Sequence, residues 1–256
     1  MLGQDIVRAG GDAALALTRA DLDVTDAAAV REALGRATVI NCAAYTDVDG
    51  AESNRASAHA VNEQGARNVA EAAGRVLYVS TDYVFDGTKG EPYVESDDPA
   101  PLQEYGRSKL AGERATAEAN PNHLIVRSSW LFGAGGKNFV ETILRLADGR
   151  DELRVVDDQV GCPTFTGHLA EALLTLAAGG ERGVLHVAGT GSCSWFEFAR
   201  EILDRGGVER VLQPCTSHEF PRPALRPANS VLASELGSPA LPPWQDGLDA
   251  YLGVRA

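Results

Sequence analysis

The stretch VLYVSTDYVFDG (76–87) decides the architecture. With Arg75 it opens as a short apolar run rich in β-branched and aromatic residues, the pattern of a strand covered on both faces. It then turns abruptly polar at Ser80, Thr81 and Asp82. Polar side chains at the carboxyl end of a parallel strand stand where the crevice of an open α/β sheet lies. Capping of the strand by hydroxyls is the plain alternative.

Outward from this strand, short apolar runs alternate with helical patterns. ALALT (14–18) is expected to be a strand, DAAAVREALG (26–35) a helix with Asp26 near its start, and TVINCAA (38–44) a strand. Residues 51–74 form an alanine-rich helix ending at Gly74, and 81–104 read as a long functional loop. A helix from about Tyr105 to Ala119 and the strand HLIVRS (123–128) follow. Further helices are expected at about 137–148, 167–178 and 194–205, separated by strands LRVV (153–156) and VLHVA (184–188). Seven of the twelve prolines fall between Pro214 and Pro243, which marks a loop-rich region rather than a regular layer. The βαβα alternation implies an α/β fold: a Rossmann-like, doubly wound parallel sheet with a smaller C-terminal substrate-binding region. Residues 1–132 would form the dinucleotide-binding core. Residues 133–256 would mix core with loop-rich elements, interleaved with that core.

The chain has 256 residues and a net charge of −13. So acidic a surface repels phosphate backbones, which argues against nucleic acid as a partner. A small anionic ligand remains compatible, held by a helix N-terminus and local arginines. No apolar run approaches the ~18 residues of a membrane helix, so no membrane partner and a cytoplasmic location are expected. The four cysteines, Cys42, Cys162, Cys193 and Cys215, lack metal-type spacing and read as reduced thiols.

EYGRSKLAGE (104–113) carries the clearest chemistry. Tyr105 and Lys109 are four apart, one turn above the other on a helix. A tyrosine with pKa ≈ 10 is a poor proton donor or acceptor at neutral pH. A neighbouring ammonium would stabilise the phenolate and lower that value, and could also donate to a ribose hydroxyl. A solvated helix face is the bland alternative. The hydroxyls and acid ending the strand some residues earlier make a Thr81, Tyr105, Lys109 triad plausible.

STDYVFDG, YGRSKLAGE, RSSWLFG (127–133), DDQVGCPT (157–164) and RPANSVL (226–232), with NCAAYTDVDGAE (41–52), stand in one order. That series resembles the extended short-chain dehydrogenase/reductases, specifically the dTDP-4-dehydrorhamnose reductase family, from Met1 to about Tyr251. The resemblance implies reduction of dTDP-4-dehydro-β-L-rhamnose to dTDP-β-L-rhamnose. It implies that Thr81 bonds the 4-oxo group, that Tyr105 delivers the proton, and that Lys109 holds the nicotinamide ribose. Asp82 and Trp130 match sugar-contacting positions; an indole offers a sugar an apolar face and one N–H. Asp158 and Gln159 reach a ligand or serve a turn. Arg226 is a candidate diphosphate partner, and Arg127 is either a ligand contact or a structural ion-pair partner.

On the cofactor side, Ala43 and Ala44 match small residues that let a dinucleotide pass, and Asp23 and Val24 match an adenine-contacting pair. Arg19 stands where NAD enzymes carry an acid and would pair with a 2′-phosphate, which points to NADPH, with NADH the alternative. Mg²⁺ enters through the resemblance alone, and no metal site is assigned. A homodimer is compatible with the family.

MLG at the start matches only the end of the family's G-x-x-G-x-x-G loop. Gly3 therefore stands for its last glycine, and the first strand and most of the glycine loop are expected to be missing from this sequence. Two alternatives remain at this stage: another extended short-chain sugar-nucleotide epimerase or dehydratase, and a non-catalytic regulatory subunit resembling that of methionine adenosyltransferase.

Overall fold

The computed structural model describes residues 1–255. The apolar run at 75–81 is strand β2 (Arg75–Thr81), every residue of which is buried. It lies inside a four-stranded parallel sheet in the order β1 (Thr38–Asn41), β2, β3 (His123–Ser128), β8 (Gly183–His186). Side chains alternate along β2, so each face meets its own helices. Leu77 and Val79 pack with Leu124 and Val126 against α1 (Leu2–Gly10) and α8 (Thr166–Ala178). Val76 meets Val30 of α2 (Ala27–Leu34) and Val69 of α5 (Ala66–Ala72). Tyr78 faces Ala66 of α5 and lies against α6 (Glu104–Ala119). α8 and β8 return to this sheet although they lie past residue 133, so the C-terminal half serves both parts.

The rest of that half builds a second core. Helices α7 (Phe139–Asp148), α9 (Trp195–Arg205) and α10 (Trp244–Arg255) enclose Phe132, Phe198, Trp244 and Tyr251 beside the parallel pair β5 (Glu152–Val156) and β10 (Val211–Cys215). Short pairs complete the layer: β4 (Leu131–Phe132) with β7 (Thr164–Phe165), and β6 (Val160–Gly161) with β9 (Cys193–Ser194).

Two elements differ from the sequence reading. Residues 14–18 are not a strand: they make no ladder, and Leu15 and Leu17 are 88% and 42% exposed. An alternating run becomes a strand only where a neighbouring backbone takes its hydrogen bonds, and among the described residues β1 pairs with β2 alone. The helix expected over 51–74 is divided into α3 (Val48–Ser53), α4 (Arg55–His59), a π-helical stretch (Ala60–Gly65) and α5. The break falls at Asn54, whose side chain bonds the Gly50 carbonyl instead of continuing the helix.

Candidate active site

Helix α6 brings the chemistry to the carboxyl end of β2. It starts after Pro101, where the Gln103 side chain accepts the Gly106 N–H at 2.6 Å and caps the first turn. Two glycines let it lie unusually close to its neighbours. A Cβ on Gly106 would fall 2.1 Å from the Tyr83 carbonyl oxygen, and one on Gly112 would fall 2.0 Å from that of Asn62. The glycines in YGRSKLAG thus set the depth of the helix. The π-helical stretch supplies Asn62, whose carbonyl accepts from the Tyr78 hydroxyl and whose amide joins Tyr45 to Ser108.

Seated this way, Tyr105 comes near enough to Thr81 for the threonine hydroxyl to act on its protonation. Thr81 Oγ1 also donates to Asp82 Oδ1 at 3.1 Å and accepts the Tyr83 N–H. Ser230, a buried residue far along the chain, lies near enough to favour the charged form of Asp82, whose Oδ2 is buried without a hydrogen-bond partner. One turn along α6, the buried Lys109 donates to the Val79 carbonyl at 2.7 Å, with its ammonium 4.0 Å from the centre of the Tyr78 ring.

The protonation states follow from burial. Tyr105 is pushed up to about 12 by burial and then by the charge of Asp82, with the Thr81 hydroxyl acting the other way. This corrects the expectation that Lys109 depresses it, because the lysine is turned to the Val79 carbonyl. Lys109 is pushed down to about 7 by burial, against the attraction of Glu113 and Cys42. Burial likewise lifts Asp82 to about 7.

Beneath the site runs a network that the sequence reading missed. Glu113 accepts from Arg127 Nε at 3.0 Å and Nη2 at 2.8 Å, and from the Ser80 hydroxyl at 2.5 Å. Of the two roles considered for Arg127, ligand contact and structural ion pair, the structure realises the second. The available signal was Glu113 standing four after Lys109 on the same helical stripe.

Trp130 adopts a left-handed backbone (φ 46°) and stacks on Trp195. Its indole Nε1 is buried with no partner among the described residues, and Gly161 lies under the ring. Ser194 fixes Trp195 through a capping box with Glu197 and a bond to Asp157. Asp158 and Gln159 both bond Ser217, and the Asn229 amide bonds the Lys89 carbonyl, so these three fasten loops. Arg226 is bonded to Asp49 and the Ala224 carbonyl, both at 2.6 Å.

The residues matched to a dinucleotide lie on the first half of the chain. Ala43 and Ala44 follow β1, half-buried, and the Ala43 N–H is held by Asn41. Val24 is half-buried, with its carbonyl taken by Asn68, and Asp23 turns back onto Thr25. Arg19 is exposed on the turn closed by Thr18 and Asp21. Gly3 lies exposed in the first turn of α1, with nothing within 4 Å of where a Cβ would stand. An open glycine at a helix N-terminus and a buried lysine with spare donors fit a dinucleotide diphosphate and ribose. Among the described residues no group of His, Cys, Asp and Glu is arranged to hold a metal. No described helix is long and apolar enough to cross a membrane.

The family model for the RmlD substrate binding domain matches residues 1–255. The chain belongs to this family. It is 46% identical over 258 residues to a dTDP-4-dehydrorhamnose reductase of Mycobacterium tuberculosis, covering 94% of this chain and 85% of that one. A reductase of the same description from Sinorhizobium fredii is 44% identical over 237 residues, covering 85% and 80%. Among solved structures, the dTDP-4-dehydrorhamnose reductase of Bacillus anthracis in complex with NADP superposes with a TM-score of 0.94 at 37% identity, covering 100% of this chain and 95% of that one.

One cluster beside the site gives this family member a pH-dependent brace. His59 of α4 lies between Glu63, 2.5 Å from Nδ1, and Glu104 of α6, 3.0 Å from Nε2. Burial opposes the charged ring, but the two carboxylates outweigh it and raise the His59 pKa above its ordinary value. The charged form is favoured in the folded state, so its stabilisation is complete below the unfolded pKa of about 6.5. It fades as pH rises through the higher folded value. In urea titrations, His59→Gln is therefore expected to lower stability most below about pH 6.5 and to match the parent at alkaline pH. A gap that stayed constant with pH would rule out this role.

Proposed function

We propose that the chain is an NADPH-dependent oxidoreductase that reduces dTDP-4-dehydro-β-L-rhamnose to dTDP-β-L-rhamnose, a step of dTDP-rhamnose biosynthesis. The observation that carries this reading is Tyr105 with the buried Lys109 one turn along α6, set against the polar end of β2 at Thr81, in a chain 46% identical to a named reductase. When bound, NADPH supplies the hydride. The chain's own residues do the rest: Thr81 and Tyr105 bond the 4-oxo group, and Tyr105 gives up its proton to the oxygen as negative charge develops there. A hydroxyl lifted to about 12 keeps its proton at neutral pH, the resting state that a reductase needs of its acid.

Lys109 would hold the nicotinamide ribose. Gly3, Ala43, Ala44, Asp23 and Val24 would line the dinucleotide, and Arg19 would meet the 2′-phosphate. Asp82 and the free N–H of Trp130 would hold the sugar. Residues 1–132 would carry the dinucleotide and residues 133–256, interleaved with that core, most of the sugar nucleotide. A cytoplasmic enzyme, active as monomer or homodimer, fits four free thiols.

The test is NADPH oxidation, followed by absorbance, with dTDP-4-dehydro-β-L-rhamnose as substrate; no oxidation beyond the substrate-free control would sink the assignment. Lys109→Ala is expected to damage turnover and NADPH affinity together. A loss confined to turnover would remove the ribose contact from its role.

A further inference from the structure

We propose that Trp195 is the positioning residue of the sugar site, holding Trp130 on a strained backbone so that the direction of its indole N–H is fixed. The inference rests on the reductase reading, in which Trp130 meets the sugar. Trp130 stands between β3 and β4 with φ 46°, a left-handed conformation that a bulky residue adopts only where its surroundings impose it. Its carbonyl accepts the Thr164 N–H at 3.2 Å, which ties down the backbone but not the ring. The ring is fixed by stacking. Its centroid lies 3.4 Å from that of Trp195, with the two planes 4° apart.

Trp195 can serve as an anchor because the second core holds it from two sides. It is the first residue of α9, and Ser194 before it caps that helix while donating to Asp157 Oδ1 at 2.5 Å, just past β5. Phe139, the first residue of α7, lies against it with ring centroids 4.4 Å apart. Neither contact involves Trp130, so the anchor is set independently of the residue it holds. The pairing of β6 with β9 then places Gly161 opposite Cys193, two residues before Trp195. A Cβ on Gly161 would fall 2.4 Å from Cε2 of Trp130 and 2.6 Å from its Nε1, so only glycine lets the indole lie there.

The consequence is one of direction. Nε1 of Trp130 is buried with no hydrogen-bond partner among the described residues. Such an N–H is fully satisfied only by an acceptor in line with it. A ring left to turn on a strained backbone would relax and lose that line. Held by Trp195 and by the Gly161 backbone, the indole keeps it, so a sugar oxygen that meets the N–H places the whole ring of the sugar reproducibly for reaction.

The experiment is calorimetric titration with dTDP-β-L-rhamnose and with dTDP, which shares the nucleotide but lacks the sugar, beside circular dichroism. Two parallel indoles in contact couple their transitions into paired far-ultraviolet bands of opposite sign. Those bands should vanish in Trp195→Leu and survive in Trp244→Phe, which changes the one remaining tryptophan. Trp195→Leu is expected to weaken dTDP-β-L-rhamnose about tenfold, the upper end of what one aromatic pair contributes. Binding of dTDP should stay within about twofold of the parent. Trp195→Phe keeps a flat ring against Trp130 and should recover most of the loss. Gly161→Ala leaves Trp195 in place but pushes Trp130 aside, and should reproduce the loss. Equal weakening of both ligands in Trp195→Leu, or of neither, would overturn the proposal. So would a Gly161→Ala protein that binds the rhamnosyl ligand like the parent, even if Trp195→Leu failed to fold. Both readouts are of binding, so a protein that shows these differences but oxidises no NADPH fails as a reductase alone. One that binds neither ligand loses both readings.

Discussion

Tyr105→Phe is expected to lower turnover by about 10²-fold or more while leaving NADPH affinity almost unchanged. The ring is held by α6 and lies edge-on to Tyr83, with centroids 6.2 Å apart, and phenylalanine keeps that packing. Only the hydroxyl is lost, and with it the proton aimed at the developing alkoxide. Thr81 cannot take over, because an aliphatic hydroxyl is a far weaker acid and this one already serves Asp82. The assay is steady-state NADPH oxidation beside a fluorescence titration of bound nicotinamide. Turnover within a few-fold of the parent would mean that another group delivers the proton.

The second large effect is on folding. Glu113→Ala is expected to cost about 3–5 kcal/mol of stability, the range for removing one partner of a buried ion pair. Arg127 and Glu113 are each 4% exposed, and the guanidinium donates two bonds to that carboxylate. Its remaining neighbours cannot neutralise it: Phe85 offers only a ring face at 5.2 Å, and His186 presents Nε2 at 3.4 Å. Against a net stability of ~5–15 kcal/mol, the loss would be severe. The pair is not irreplaceable, because its attraction largely offsets the cost of burying two charges. Glu113→Leu combined with Arg127→Met should therefore recover much of the loss. Urea denaturation of the single and double variants decides the matter, and a single variant within about 1 kcal/mol of the parent would show that the charges are not coupled as described.

The sheet was readable because β2 and β3 are unbroken apolar runs, a pattern with few other uses. ALALT carried an equally good strand pattern, yet periodicity states only that a segment could pair, never that a partner lies beside it. Alanine spacing over 51–74 hid the break at Asn54 and the π-helical stretch, since alanine favours helix on either side of a defect. For the site, the spacing of Tyr105 and Lys109 and the polar end of β2 foretold the meeting of Thr81 with Tyr105. The protonation of that pair was misread. A lysine four residues away suggests a depressed tyrosine, but burial and the Val79 carbonyl act through parts of the chain that the motif does not contain. Ser230, Asp49 and Trp195 stayed hidden for the same reason: each reaches its partner across more than sixty residues of sequence.

The burial that sets these charges also governs the thiols. Cys42, half-buried after β1, is pushed up to about 12 by burial, Cys162 to about 11, and Cys193 and Cys215 are raised as well. Alkylating agents and peroxides attack the thiolate, and a group with a pKa near 12 is ionised in only about one molecule in 10⁵ at pH 7. Cys42 stands next to Ala43 of the proposed cofactor cleft, and burial holds it in its protonated form at neutral pH. The folded chain is therefore expected to take up iodoacetamide only slowly at pH 7, and thiol labelling before and after denaturation checks this.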